Sequence, residues 1–203
     1  MTTKSVLRDD LDRIARLIKP GARVLDLGCG SGDLLRFLLS NQGCSGLGVE
    51  HDPGALKEAI ACGVPVVDLD LDSQLDQFAD SSFDVVVLSR TLQTVRHPVE
   101  VLRHMSRIGD HFIVSMPNFA YLPHRLTLLR GRMPRSSDLP FDWFDTPNLH
   151  YTTLDSLEAL FASLGLVCER RFALGPSGHL VGPLANLRAS SAIYVLGSLP
   201  TNT

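Results

Sequence analysis

Residues 24–35 read VLDLGCGSGDLL, and the fold turns on this stretch. Val24, Leu25 and Leu27 have strand character, glycines follow at 28, 30 and 32, and a helical apolar spacing begins at Leu34. A strand, a glycine turn and a helix in that order make the first half of a βαβ unit, with the main chain open to close approach at the turn. The spacing is G-x-G-x-G. A dinucleotide fingerprint would need its third glycine at position 33, which is Asp33. Asp26 before the turn and Asp33 after it would repel a pyrophosphate and attract an ammonium or sulfonium group. The turn therefore points to a cationic nucleoside ligand in preference to NAD.

On the N-terminal side, Leu7, Leu11, Ile14, Leu17 and Ile18 predict an amphipathic entry helix closed by Pro20 and Gly21. On the C-terminal side SGLGVE reads as a second strand, and DPGALKEAIACG as a helix capped by Asp52, with Pro53 at its first position and Gly63 at its end. VPVVDL, FDVVVLS and HFIVSM predict three more strands, with the helix PVEVLRHMSRI before the last. Such alternation predicts an α/β fold, its parallel strands joined by right-handed crossovers and helices on both faces. Ligands of such sheets bind beyond the carboxyl ends of the strands.

The alternation stops after Met116. An insertion at about 117–150 holds the single Trp and too many large apolar residues, among them Phe119, Leu122, Leu126, Leu129, Phe141 and Phe144, to be a disordered tether. TTLDSLEALFASLG then resumes a helical pattern, with Thr152 and Asp155 spaced as a capping box and Gly165 as its stop. LVCERRFAL and ASSAIYVLG read as the last two strands.

A length of 203 residues favours one domain, 1–203, carrying that insertion. With 44% hydrophobic and 20% charged residues and a net charge of -3, nothing favours nucleic acid or an anionic membrane as partner. The N-terminal MTTKSVLRDDLDRIARLIKP is charged throughout, so neither a signal peptide nor a membrane anchor is expected, and the chain reads as cytoplasmic. Cys29, Cys44, Cys62 and Cys168 lack metal-ligand spacing, and neither a metal site nor a disulfide framework is expected.

Glu50 ends the second strand about 20 residues past the turn, where a carboxylate can accept both ribose hydroxyls. Asp70, just beyond the third strand, is placed to meet an adenine amino group with Leu71 as an apolar wall, and Asp68 and Asp72 compete for that role. Ser89 and Arg90 end the fourth strand. Glycines after a strand are common in ordinary turns, and it is the addition of Glu50 and Asp70 at the ends of consecutive strands that suggests S-adenosylmethionine or S-adenosylhomocysteine. The expected binding set is Asp26, Gly28, Cys29, Gly30, Gly32, Glu50, His51, Asp70, Leu71 and Ser89.

These residues resemble a class I S-adenosylmethionine-dependent methyltransferase: VLDLGCGSG resembles its first motif, GVE its second, DLD its third and SFDVVVLS its fourth. Downstream, SRTLQ, VSMPNF, GRMP, LPFDWFDTPNLH and the IYVL end resemble the methionine biosynthesis protein MetW family over nearly the whole chain. The resemblance implies a Rossmann-like, mostly parallel seven-stranded sheet with an antiparallel last strand, S-adenosylmethionine as ligand, and a role in methionine biosynthesis as a partner of homoserine O-acyltransferase. Arg90 stands where the family pattern has Gln, and reads as a fixed cation near the pocket mouth.

The end of the fourth strand has neither the Asn/Asp-Pro-Pro-aromatic turn of amino-group methyltransferases nor a Pro-Cys nucleophile, which disfavours adenine, amide and cytosine acceptors. His97, His150 and Tyr151, with Asp142 and Asp145, remain as catalytic candidates, a His serving as base toward a hydroxyl or carboxyl acceptor. For both histidines the ordinary alternative is hydrogen bonding to the main chain. His124, Arg125, Arg130, Arg132 and Arg135 are the basic concentration of the chain, and with Tyr121, Phe141, Trp143 and Phe144 they suggest either an interface or a lid. Three functions are compatible with these residues: an S-adenosylmethionine-binding accessory subunit, an active methyltransferase on a small oxygen acceptor, and a structural partner with a vestigial pocket.

Overall fold

The structure, a computed structural model, describes residues 7–198; residues 1–6 and 199–203, including the first residues of the N-terminal stretch read above, lie outside the described residues. The elements follow as α1 (Asp9–Leu17), β1 (Arg23–Leu27), α2 (Asp33–Gln42), β2 (Ser45–Val49), α3 (Pro53–Ala61), β3 (Val66–Val67), β4 (Phe83–Ser89), α4 (Pro98–Ile108), β5 (Gly109–Pro117), α5 (Leu122–Leu129), α6 (Leu154–Ser163), β6 (Leu166–Leu174), α7 (Ala185–Arg188) and β7 (Ser191–Ser198). The strands form one seven-stranded sheet in the order β3-β2-β1-β4-β5-β7-β6. β1 pairs in parallel with β2 and β4, β2 in parallel with β3, and β6 antiparallel with β7. This is the mostly parallel α/β sheet with an antiparallel last strand that the sequence predicts.

The chain clusters into two compact units, one of residues up to 89 with 97–113, the other of 90–96 with 114 onward. In the first, β1 and β4 are apolar runs buried on both faces, as central parallel strands require. Leu34, Leu35 and Leu38 of α2 and Val101, Leu102, Met105 and Ile108 of α4 supply the buried stripes of their helices. Gly46 and Gly48 make β2 thin: a Cβ at 46 would lie 2.8 Å from Leu35 Cδ2, and one at 48 would lie 2.5 Å from Cys29 Sγ. That thinness seats α2 and the turn before it against the sheet. Asp52 caps α3 by accepting from Ala55 N–H at 2.8 Å, with Pro53 at the first helical position, as expected. β3 is shorter than the predicted VPVVDL because Pro65 has no N–H for the ladder; its carbonyl still accepts from Gly48 at 2.8 Å.

In the second unit, α6 lies against the β6–β7 pair, with Phe161 edge-on to Tyr194 at 5.3 Å and the Tyr194 hydroxyl donating to Glu158 at 3.0 Å. The cap of α6 is Thr153, whose Oγ1 accepts from Ser156 N–H at 3.2 Å. The expected cap, Thr152, is used elsewhere: its carbonyl accepts from Phe119 N–H at 2.9 Å. Asn118 is fully buried and ties the start of the insertion to the segment before β7, its Nδ2 donating to the carbonyls of Asn186 and Ala189 at 3.0 and 2.8 Å. Two helices escape a pattern reading, α5 inside the insertion and the single turn α7 in the Gly/Pro loop. α5 is inverted: its one buried residue is His124, while Leu122, Leu126, Leu128 and Leu129 are exposed.

Candidate functional site

The turn after β1 is built from inside the first unit. Gly28, Gly30 and Gly32 all take positive φ, 72°, 57° and 76°, a region costly for side chains other than glycine. The N–H groups of Gly28 and Cys29 donate to the Val49 carbonyl at 2.8 and 3.0 Å, Gly30 donates to Glu50 Oε2 at 2.8 Å, and Gly32 donates to the Cys29 carbonyl at 3.0 Å. Four amides of the kind that cradle a pyrophosphate in dinucleotide folds are thus already used. The turn is shaped for close approach without being an anion cradle.

Glu50 anchors that shape. Its second oxygen accepts from the N–H groups of both His51 and Asp52 at 2.9 Å. A carboxylate has about four lone-pair directions, so three backbone donors leave about one for a ligand, fewer than a ribose diol would use. Asp26, at the end of β1, is 3% exposed and stands in the field of Glu50. Burial, followed by repulsion from Glu50, pushes its pKa up to about 7, against the pull of Arg8. The Cys29 thiol is pushed up to about 12 by burial and then by Asp26 and Glu50, so it stays protonated. Two carboxyl groups facing each other, with only the pull of Arg8 against them, favour a cation at this turn.

The remaining predicted residues are distributed around the ends of β2 to β4. Asp70 organises its own turn, accepting from Asp72 N–H at 2.9 Å and from the Ser73 hydroxyl at 3.3 Å. Of its two competitors, Asp68 pairs with His51 Nδ1 at 2.8 Å and Asp72 accepts from His97 N–H at 2.8 Å, so both are committed. That pairing with Asp68 raises the pKa of the exposed His51. Leu71 is half-buried beside Asp70, and Ser89 ends β4 half-buried. Asp33 is neutralised by Arg36 at 2.8 Å, which leaves Asp26 and Glu50 as the charges of the turn.

Of the catalytic candidates, His150 and Tyr151 lie together in the second unit, where Tyr151 also borders Asp142. His97 is exposed in the first unit at the start of α4, where its side chain makes no capping bond. His150 and Tyr151 belong to the second unit, where the His150 N–H donates to the Gln93 carbonyl at 3.0 Å and Tyr151 packs on Phe119 at 5.0 Å. Asp142 is taken by Arg135 at 2.9 Å. The basic concentration is divided: His124 is buried, where desolvation lowers its pKa, and Arg125 bonds the Ala120 carbonyl at 2.6 Å. Arg90, read above as a fixed cation, is paired at 2.6 Å with the buried Asp138. Sequence reading missed Gly46 and Gly48, although two glycines alternating within a strand signal close backbone approach.

Comparison with solved structures places the fold. A SAM-dependent methyltransferase from Archaeoglobus fulgidus superposes with a TM-score of 0.70 at 17% identity, covering 93% of this chain and 91% of that one. An S-adenosylmethionine-dependent methyltransferase from Mesorhizobium loti gives 0.69 at 19% identity, covering 94% and 98%. The chain thus has the class I methyltransferase fold. Its sequence matches the family model described as methionine biosynthesis protein MetW over residues 8–196, and the chain belongs to that family. The bifunctional methionine biosynthesis protein MetXA/MetW of Rhodopirellula baltica is 37% identical over 175 residues, 80% of this chain and 28% of the relative. The ubiquinone/menaquinone biosynthesis C-methyltransferase UbiE of Ectopseudomonas mendocina is 34% identical over 45% of this chain and 39% of its own. The chain therefore spans well under half of each of these relatives.

Proposed function

We propose that this protein binds S-adenosylmethionine or S-adenosylhomocysteine at the carboxyl ends of β1 to β3 and acts in methionine biosynthesis as an accessory, regulatory partner of homoserine O-acyltransferase. The observation that carries the ligand reading is the buried Asp26 carboxyl, whose charged form is penalised by burial and by the field of Glu50. An ammonium group would supply a charge-assisted hydrogen bond and the opposite charge. Gly28, Cys29, Gly30 and Gly32 would line the methionyl chain, Glu50 would take a ribose hydroxyl on its remaining lone-pair direction, and Asp70 and Leu71 would meet the base. When bound, S-adenosylmethionine supplies an electrophilic methyl group on a sulfonium centre.

The partner reading is supported by family membership and by the Rhodopirellula relative, whose name joins MetXA and MetW in one bifunctional chain. It is supported also by the surface of the insertion. Ten of the fourteen large hydrophobic residues exposed among the described residues lie between 122 and 151, led by Leu129, Phe144 and Trp143. Apolar residues concentrated in this way, with an aromatic pair at their centre, are what a protein interface uses. The test is the rate of homoserine acylation by the acyltransferase of the same organism, with and without this protein, while S-adenosylmethionine is titrated. Addition should raise the rate or be required for it, and the response to S-adenosylmethionine should disappear in Glu50→Ala. A flat rate overturns the partner reading, and a nucleoside-independent rise overturns the sensing part.

A further inference from the structure

The inversion of α5 follows a pattern. A surface helix ordinarily turns its apolar stripe toward the core. Here the one buried residue is His124, 1% exposed, while Leu122, Leu126 and Leu129 stand in solvent, Leu129 at 83%. At about 100° per residue these three leucines share a sector about 60° wide, and Arg125 and Arg130 lie about 40° beyond its two edges, with His124 opposite. The result is an exposed apolar stripe with a cation on each flank. No Asp or Glu occurs between His111 and Ser137. Arg125 uses its Nε on the Ala120 carbonyl at 2.6 Å, and Arg130 reaches the Leu126 carbonyl at 3.4 Å. Neither of them, nor Arg132 beyond the helix, pairs with a carboxylate among the described residues. In a chain whose net charge is -3, this run is cationic against the prevailing sign.

Resting on the partner reading above, we propose that this stripe is the segment homoserine O-acyltransferase receives, in an apolar groove whose two rims carry carboxylates. A helix laid in a groove buries residues spaced i, i+4 and i+7, which is the spacing of Leu122, Leu126 and Leu129. The same closure takes water from Arg125 and Arg130, and a desolvated guanidinium needs a counter-charge. Carboxylates at both rims supply it and accept the paired N–H groups that each guanidinium presents. An uncharged groove would leave two cations desolvated and unmatched, and a second copy of α5 would set arginine against arginine. Opposite charge at the rims also speeds encounter and fixes the register of the helix.

The experiment is biolayer interferometry of the whole chain on the acyltransferase of the same organism, at about 50 mM and about 300 mM salt. Leu126→Glu is matched with Ile60→Glu, another exposed apolar residue, and Arg130→Glu with Lys57→Glu, the same change of charge at an exposed position of α3. Circular dichroism checks each fold. Leu126→Glu and Arg130→Glu should each weaken the complex by about tenfold or more, and the matched controls by less than about twofold. The wild type should lose affinity at the higher salt, chiefly through slower association, and Arg130→Glu should lose less of it. Should Leu126→Glu fail to fold, Arg130→Glu and the salt dependence decide. No binding by the wild type at either salt overturns the partner reading and this inference with it. Binding that the paired variants weaken equally, or that salt leaves unchanged, overturns this inference alone. Self-association or binding to phosphatidylglycerol vesicles that is lost in Leu126→Glu gives the stripe to a second copy or to a membrane, and overturns it as well.

Discussion

Replacing Asp26 by Asn tests the electrostatics of the glycine turn. In the unfolded chain this carboxyl ionises near 3.8, whereas in the folded protein burial and Glu50 hold its proton up to about pH 7. Between those values the folded state binds the extra proton, so stability falls as pH rises through the window; below about 3.8 the penalty is absent, and above about 7 it is complete. At 1.36 kcal/mol per pKa unit, a shift of about three units corresponds to ~4 kcal/mol, of which ~3 kcal/mol develops between about pH 5 and pH 8. For a chain of this size that is on the order of 8 °C in melting temperature. Asn does not titrate, so the variant should gain on the wild type by that amount as pH is raised across this range. Scanning calorimetry of both proteins in matched buffers reads it directly. An advantage of equal size at both ends of the range would refute the reasoning. S-adenosylmethionine, by matching the buried charge, should stabilise the wild type more than the variant at the alkaline end.

Other expectations follow from the same geometry. Glu50→Gln puts an amide where three backbone N–H groups converge, and should cost about 1–3 kcal/mol in urea unfolding together with loss of nucleoside binding in calorimetric titration. At neutral pH iodoacetamide should label the exposed Cys62 and spare Cys29, whose thiol is held protonated up to about pH 12; peptide mass spectrometry showing Cys29 labelled first would contradict the assigned field. Trp143, the single Trp and 70% exposed, should emit as a water-exposed indole and shift to the blue when homoserine O-acyltransferase is added, with Trp143→Ala weakening the complex by about tenfold or more; an unchanged spectrum would remove this surface from the interface.

The parts of the molecule legible in the sequence are those fixed by local chemistry. The turn glycines, the Asp52–Pro53 cap and the Gly63 and Gly165 stops are short-range requirements of backbone geometry, and β4, α4 and β6 fall on the residues their patterns indicate. What escaped depends on residues far apart in the chain. Thr153 displaced Thr152 as a cap because Phe119, more than 30 residues upstream, claims the Thr152 carbonyl. The Arg90 charge looked available until Asp138 folded onto it, and Asp68 looked like a ligand until His51 took it. At the glycine turn the residue types were legible, whereas the extent to which Glu50 is already occupied by main-chain donors was not.

That occupation bears on timing. A turn held by its own carboxylate is folded before any nucleoside arrives, so binding requires no loop ordering and its entropic cost falls mainly on the ligand. On the proposed nucleoside reading, association would then need no slow conformational step. Under that proposal, occupancy would follow the present concentration of the nucleoside pool, with little memory of earlier levels.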